Sequence, residues 1–348
     1  MKRAQHVLAL ALEALAALAA LVALAAPGWC DTAQVRIGLQ YGLTYLPVMV
    51  AESENLFAKH AEAQGVPGLQ VALHRFSGST AMNEALLSGS IDVGSYGLPG
   101  LLIAWEKTRG RQNVVGLTGL AAINYQLFTN RPEVKSLADF GDQDKIAVPA
   151  FNSPQAILLR AAAEQRFGPG QAKRADALMV SMAHPDATAA LLSGKVISGY
   201  FATPPFSDFL ARDPKLHVVL TSREILNGVD ASAAAVGGSK VFFDKNPKVA
   251  RALFDGLDEA MKLIQSDPAR AAAIYVKSEQ VRYTAAEVEQ FIRGETTRYD
   301  VAPHGVMIYA RLMSGQGMLK TMPADWKDVF YSFAHERQGE EQTSHEEW

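Results

Sequence analysis

The residues able to do chemistry in this 348-residue chain fall in a few short stretches, and none spells a catalytic set. Eight histidines (His6, His60, His74, His184, His217, His304, His335, His345) show no HExxH or other paired-ligand spacing. There is no Gly-x-Ser-x-Gly elbow and no Walker loop, and the glycines at 94–100 miss the dinucleotide spacing. Cys30 is the single cysteine, which rules out an intramolecular disulfide, a thiolate zinc site and an iron–sulfur cluster. Neither a metal nor a cofactor is expected, and binding is a better expectation than catalysis.

The remaining chemistry is recognition. Ser77-Gly78-Ser79-Thr80 reads as a helix start whose free N–H groups and positive dipole end suit an anion. Asn152-Ser153-Pro154, His184-Pro185-Asp186 and Thr203-Pro204-Pro205 each read as a cap leading into a proline at the first turn of a helix. Taken singly, each of these is better explained by ordinary capping, since every helix needs a start. Tyr41, Tyr45, Tyr96, Phe151 and Phe201 follow strand ends, where they could stack on an organic ligand or simply pack the core. Arg75 is the one cation placed to meet a carboxylate or sulfonate at two points, with a plain surface ion pair as the alternative. Asp92 reads as the cap of a buried turn.

These residues need a scaffold, and the composition supplies one. With 49% hydrophobic, 20% charged and 8% aromatic residues the chain is globular, and a net charge of -3 gives no basic field for a nucleic acid. Residues 1–30 read as a secretory signal peptide: Lys2, Arg3 and His6 precede an apolar run from Ala14 to Ala26, which Pro27-Gly28-Trp29-Cys30 breaks. The run is too short to span a bilayer, which needs about 20 residues, although an uncleaved anchor is the alternative. Cleavage after Gly28 or Cys30 fits the small-residue rule, and Trp29 weighs against lipidation of Cys30. From Gln34 the pattern alternates strands (34–39, 69–76, 91–94, 114–118, 125–129, 145–148, 177–181, 196–201, 216–220) with helices, as parallel βα units do. Beyond Phe242 it is helical, and 335–348 reads as a disordered acidic tail. The class is α/β.

Residues 85–94 (ALLSGSIDVG) and 190–199 (ALLSGKVISG) repeat at an offset of 105, and an aromatic (Tyr96, Phe201) and a proline (Pro99, Pro204) recur at the same offset. Two lobes of similar build follow. In open α/β sheets ligands sit beyond the carboxyl ends of strands, so the loops named above are the ones to watch.

Three stretches in order, Tyr41 to Phe57, Ser77 to Gly94 and Lys135 to Phe167, together with His184 to Phe206, resemble the solute-binding proteins of ABC importers. The class is that of nitrate, sulfonate and taurine transport, also described as thiamine-precursor-synthase-like. The resemblance implies a type II periplasmic-binding-protein fold of two Rossmann-like lobes. Lobe 1 is expected over 31–120 and 239–334 and lobe 2 over 121–238, with hinge crossings near 120–129 and 229–238. It implies solute contacts from Tyr41, Tyr45, Ser77, Gly78, Ser79, Thr80, Tyr96, Asn152, Ser153, His184, Phe201 and Thr203. It also implies a periplasmic monomer that captures a small organic anion, sulfonate-like or an aromatic acid, for a membrane permease and its ATPase. An exported or thiamine-pyrimidine-synthase-like enzyme and a sensor-associated binding protein are the alternatives.

Overall fold

The computed structural model describes residues 31–279, 283–294 and 296–337. The expectations for the signal peptide and for the tail beyond 337 lie outside the described residues. The described residues from Thr32 to Arg337 belong to one compact unit.

Two sheets organise it. The first has strands in the order β11 (Thr297–Tyr299), β4 (Val114–Ile123), β10 (Ser232–Ser239), β3 (Val93–Gly97), β1 (Gln34–Leu39) and β2 (Gln70–Arg75). The second has β7 (Met179–Ser181), β6 (Ile146–Val148), β8 (Gly199–Ala202), β5 (Gln126–Thr129) and β9 (His217–Thr221). β1 is parallel to β2 and β3, β6 is parallel to β7 and β8, an antiparallel strand, β10 or β5, lies inside each sheet, and β11 adds a second antiparallel strand at the edge of the first. The runs β2-β1-β3-β10-β4 and β7-β6-β8-β5-β9 therefore match, and the repeated segments carry the equivalent strands β3 and β8. Alternation explains β1 locally: Val35, Ile37 and Leu39 are all buried, as period two requires of one face.

Two strands escape the sequence pattern. The expected hinge segment 229–238 instead contains most of β10, the central antiparallel strand of the first sheet. Its sequence, SAAAVGGS, has a single β-branched aliphatic residue and little bulk, so it reads poorly as a strand. Close packing demands those small residues, because a Cβ at Gly237 would lie 2.6 Å from the Val115 carbonyl oxygen. β4 likewise runs on to Ile123, so the chain leaves the first sheet at Asn124-Tyr125 and returns across 226–231. β11 is short and was not expected at all.

Helix Pro247–Ser266 packs its apolar face on Leu46–Ser53 and Leu56–Ala63, covering one side of the first sheet. Gly256 lies against Phe57, where an added Cβ would come within 2.9 Å. The start of the expected tail is fastened instead: His335 Nε2 donates to the Phe330 carbonyl (2.8 Å), Glu336 pairs with Arg251 and Arg337 with Asp258. Among the described residues no helix is long and apolar enough to cross a membrane.

Candidate functional site

Five helices begin at strand ends facing a common cleft: α1 (Leu46–Ser53), α2 (Ser79–Leu87), α3 (Leu98–Thr108), α4 (Pro154–Phe167) and α5 (His184–Ser193). α1 to α3 follow β1 to β3 of the first sheet, and α4 and α5 follow β6 and β7 of the second. The cavity between them is lined by Gln40, Tyr41, Thr44, Tyr45, Ser79 and Gly97 from one side. Pro149, Ser153, Pro154, Gln155, His184 and Thr203 face them, and Tyr125 stands at the crossing between sheets.

The two sides touch. The Leu43 N–H donates to the Pro204 carbonyl (2.9 Å), the Thr44 and Thr203 hydroxyls meet at 3.3 Å, and the Thr80 hydroxyl donates to Asn152 Oδ1 (3.1 Å). A Cβ at Gly78 would stand 2.8 Å from the Pro149 carbonyl oxygen, and one at Gly97 would stand 2.7 Å from Pro154 Cδ. The space left for the centre of a water molecule is about 10 Å³, room for roughly one water. This is a shut cleft.

Of the twelve residues expected to contact solute, Tyr41, Tyr45, Ser79, Ser153, His184 and Thr203 line the cavity. Gly78, Thr80 and Asn152 sit at its rim as closure contacts, and Ser77 is exposed beside them. The remaining two depart from expectation. Tyr96 is fully buried and curls back on its own strand, its ring filling the space above Gly94 and its hydroxyl unpaired. Phe201 is also fully buried, edge-on to Tyr125 at 6.2 Å. Both strands are interior on both faces, so an aromatic there packs before it can reach solute. Phe151 points outward, half exposed.

Arg75 does not reach the cavity as a free cation. Its guanidinium pairs with Glu279, donates to the Gln40 carbonyl (3.0 Å) and lies 5.7 Å from the Tyr41 ring centroid. Asp92 does not cap its own turn: its carboxylate accepts from the Arg36 N–H of β1 (2.8 Å) and pairs with the Arg36 guanidinium, tying the segment before β3 to the neighbouring strand. Pro204 joins Pro205 by a cis peptide and precedes the short helix Phe206–Leu210 rather than opening it.

His184 is held as a neutral ring. Burial pulls its pKa down to about 3, Nδ1 lies 2.6 Å from the Tyr200 hydroxyl, and Phe206 stacks on it at 5.6 Å. Tyr125 and Gln155 escaped the sequence reading, although Gln155 directly follows Pro154 in a loop already singled out, and Gln40 and Thr44 lie in the Tyr41 loop without having been picked from it. Among the described residues no three His, Cys, Asp or Glu side chains gather where a metal could sit. What the arrangement offers is hydroxyls, amides and aromatic faces, the equipment of a binding site.

The fold recurs in solved structures. The alkanesulfonate-binding protein SsuA of Xanthomonas axonopodis pv. citri, solved with MOPS, is 18% identical, with a TM-score of 0.67 over 87% of this chain and 98% of that one. The periplasmic aliphatic sulphonate-binding protein SsuA of Escherichia coli is 18% identical, with a TM-score of 0.64 over 86% and 92%. The periplasmic nitrate-binding protein NrtA of Synechocystis is 16% identical, with a TM-score of 0.65 over 88% and 86%. The sequence matches none of the curated proteins. The model of the NMT1-like family matches residues 30–277, well over half of the sequence, and the chain belongs to that family.

Proposed function

We propose that this protein is the solute-binding component of an ABC importer, working in the periplasm and passing a small organic solute to a membrane permease driven by an ATPase. The observation that carries this reading is the cleft: two sheets of matching strand order, joined by two crossings, close on polar side chains drawn from both. Such a pair of lobes exchanges an open and a shut state around its ligand with no bond made or broken. The signal-peptide pattern of residues 1–30 and the solutes named for the similar structures, sulfonates and nitrate, support import across an envelope.

The test is a thermal-shift screen of the purified protein against sulfonates, nitrate, aromatic carboxylates, amides and amino acids. A ligand that binds only the folded state raises its melting temperature by mass action, by about 2.7 kcal/mol of stability at a hundredfold excess over Kd. The expected result is a hit in one chemical class, recovered unchanged from the mixture. Chemical conversion of the hit would replace this reading with that of an exported enzyme.

A further inference from the structure

Three polar side chains line the cleft with nothing to bind. Gln155, at the second position of α4, is 2% exposed, Tyr45 is 6% and Tyr125 is 4%. No hydrogen bond holds their side-chain polar atoms among the described residues, and those atoms are not among the ones sealed from solvent, so they stay open to the cleft. Buried amides and phenols are ordinarily satisfied, so a cluster of three facing one cavity is arranged for a group that arrives from outside.

The chemistry of that group follows from what surrounds it. Burial raises the pKa of both phenols, Tyr309 and Tyr45 adding to the effect at Tyr125, so they are protonated and can donate. Gln155 differs from them in carrying a donor and an acceptor side by side. A sulfonate, nitrate or carboxylate only accepts, so it would use the Gln155 NH2 alone and leave the Gln155 carbonyl without a donor.

Backbone N–H groups and cations, the usual partners of an anion, are also scarce at this end of the cleft. Pro154 has no N–H and Ser153 Oγ has already taken that of Ala156 (3.2 Å), while Pro185 and Pro47 remove N–H groups at the starts of α5 and α1. No lysine or arginine is among the described residues lining the cavity. The start of α2 alone keeps a first turn free of proline, on the opposite wall.

Resting on the solute-binding reading above, we propose that the solute turns an uncharged donor–acceptor edge, that of an amide, urea or lactam, toward Gln155, with Tyr45 and Tyr125 hydrogen-bonding beside it. Gln155 is then the residue that sets specificity, and any acidic group of the solute lies at the α2 wall.

Calorimetric titration of the purified protein with matched pairs tests this: nicotinamide against nicotinate, N-acetyltaurine against ethanesulfonate, and N-carbamoylglycine against succinate. The expected result is that an amide- or urea-bearing member binds at least tenfold more tightly than its partner, and that Gln155→Leu and Gln155→Glu each lose at least tenfold of that affinity. The pair preference of the unaltered protein decides the matter even where a variant folds poorly. Binding of nicotinate, ethanesulfonate or nitrate that Gln155→Leu leaves unchanged overturns the proposal and keeps the solute-binding reading. Silence from every compound removes both.

Discussion

His184 opens α5 with its ring stacked on Phe206 and Nδ1 against the Tyr200 hydroxyl, and it is kept neutral by burial. Its folded pKa, about 3, lies below the unfolded value of 6.5, so the unfolded chain binds the extra proton first as the solution is acidified. Its contribution to stability is complete above pH 6.5 and is lost as the pH falls toward 3. Between pH 7 and pH 5 this one group removes about 2 kcal/mol. Denaturant unfolding at both pH values should show that loss in the natural protein and a shallower one in His184→Asn; equal losses would mean the ring is not buried as described. Tyr96 presents the opposite case, a phenol whose hydroxyl is buried and unpaired. Tyr96→Phe removes an orphaned group and leaves the packing, so it should be neutral or stabilising by about 1 kcal/mol and should leave solute affinity unchanged. A melting curve and one titration check both parts.

The two crossings between sheets are tied by one serine. Ser222 Oγ accepts the Tyr125 N–H (2.9 Å) and lies 3.2 Å from Asn124 Oδ1, and Arg223 forks onto Asp230 at 2.8 and 2.9 Å within the return segment. Ser222→Ala leaves the Tyr125 N–H buried without its partner, which costs about 1–3 kcal/mol, read as a fall in the denaturant midpoint. A crossing near 120–129 was expected, but the contacts that tie the joint were not visible in the sequence, since a lone serine has no pattern of its own. Most strands were legible because alternating or continuous β-branched runs mark them: β1 falls at its expected bounds and β5 to β9 within a few residues. β10 was not, because contact with the Val115 and Asp92 carbonyls selects Gly237 and Gly238 against strand propensity. The cleft was legible to the same degree. Helix starts at strand ends led to Ser79, Ser153, His184 and Thr203, whereas Gln155 and Tyr125 declare themselves only once the opposite wall stands in front of them.

The halves meet at main-chain distance, and glycines at the contact points permit it. Gly78 has an extended backbone that any residue adopts, so Gly78→Ala strains nothing within its own half and acts only on the approach to Pro149. Its expected effect is a cleft held ajar: small-angle scattering with saturating solute should give a larger radius than for the natural protein, and affinity should fall at least tenfold with the melting temperature of the unliganded protein little changed. An identical radius and affinity would show that the contact yields locally. A shut site with room for about one water also fixes the order of events, since a solute cannot enter by a door that is closed. Arrival must wait for the halves to part, and the apparent affinity is lowered by the fraction of time they spend together. In stopped-flow mixing the observed binding rate should therefore rise with solute concentration and level off at the spontaneous opening rate. The protein would act as a timed turnstile whose capacity is set by its own breathing rather than by how often solute collides with it.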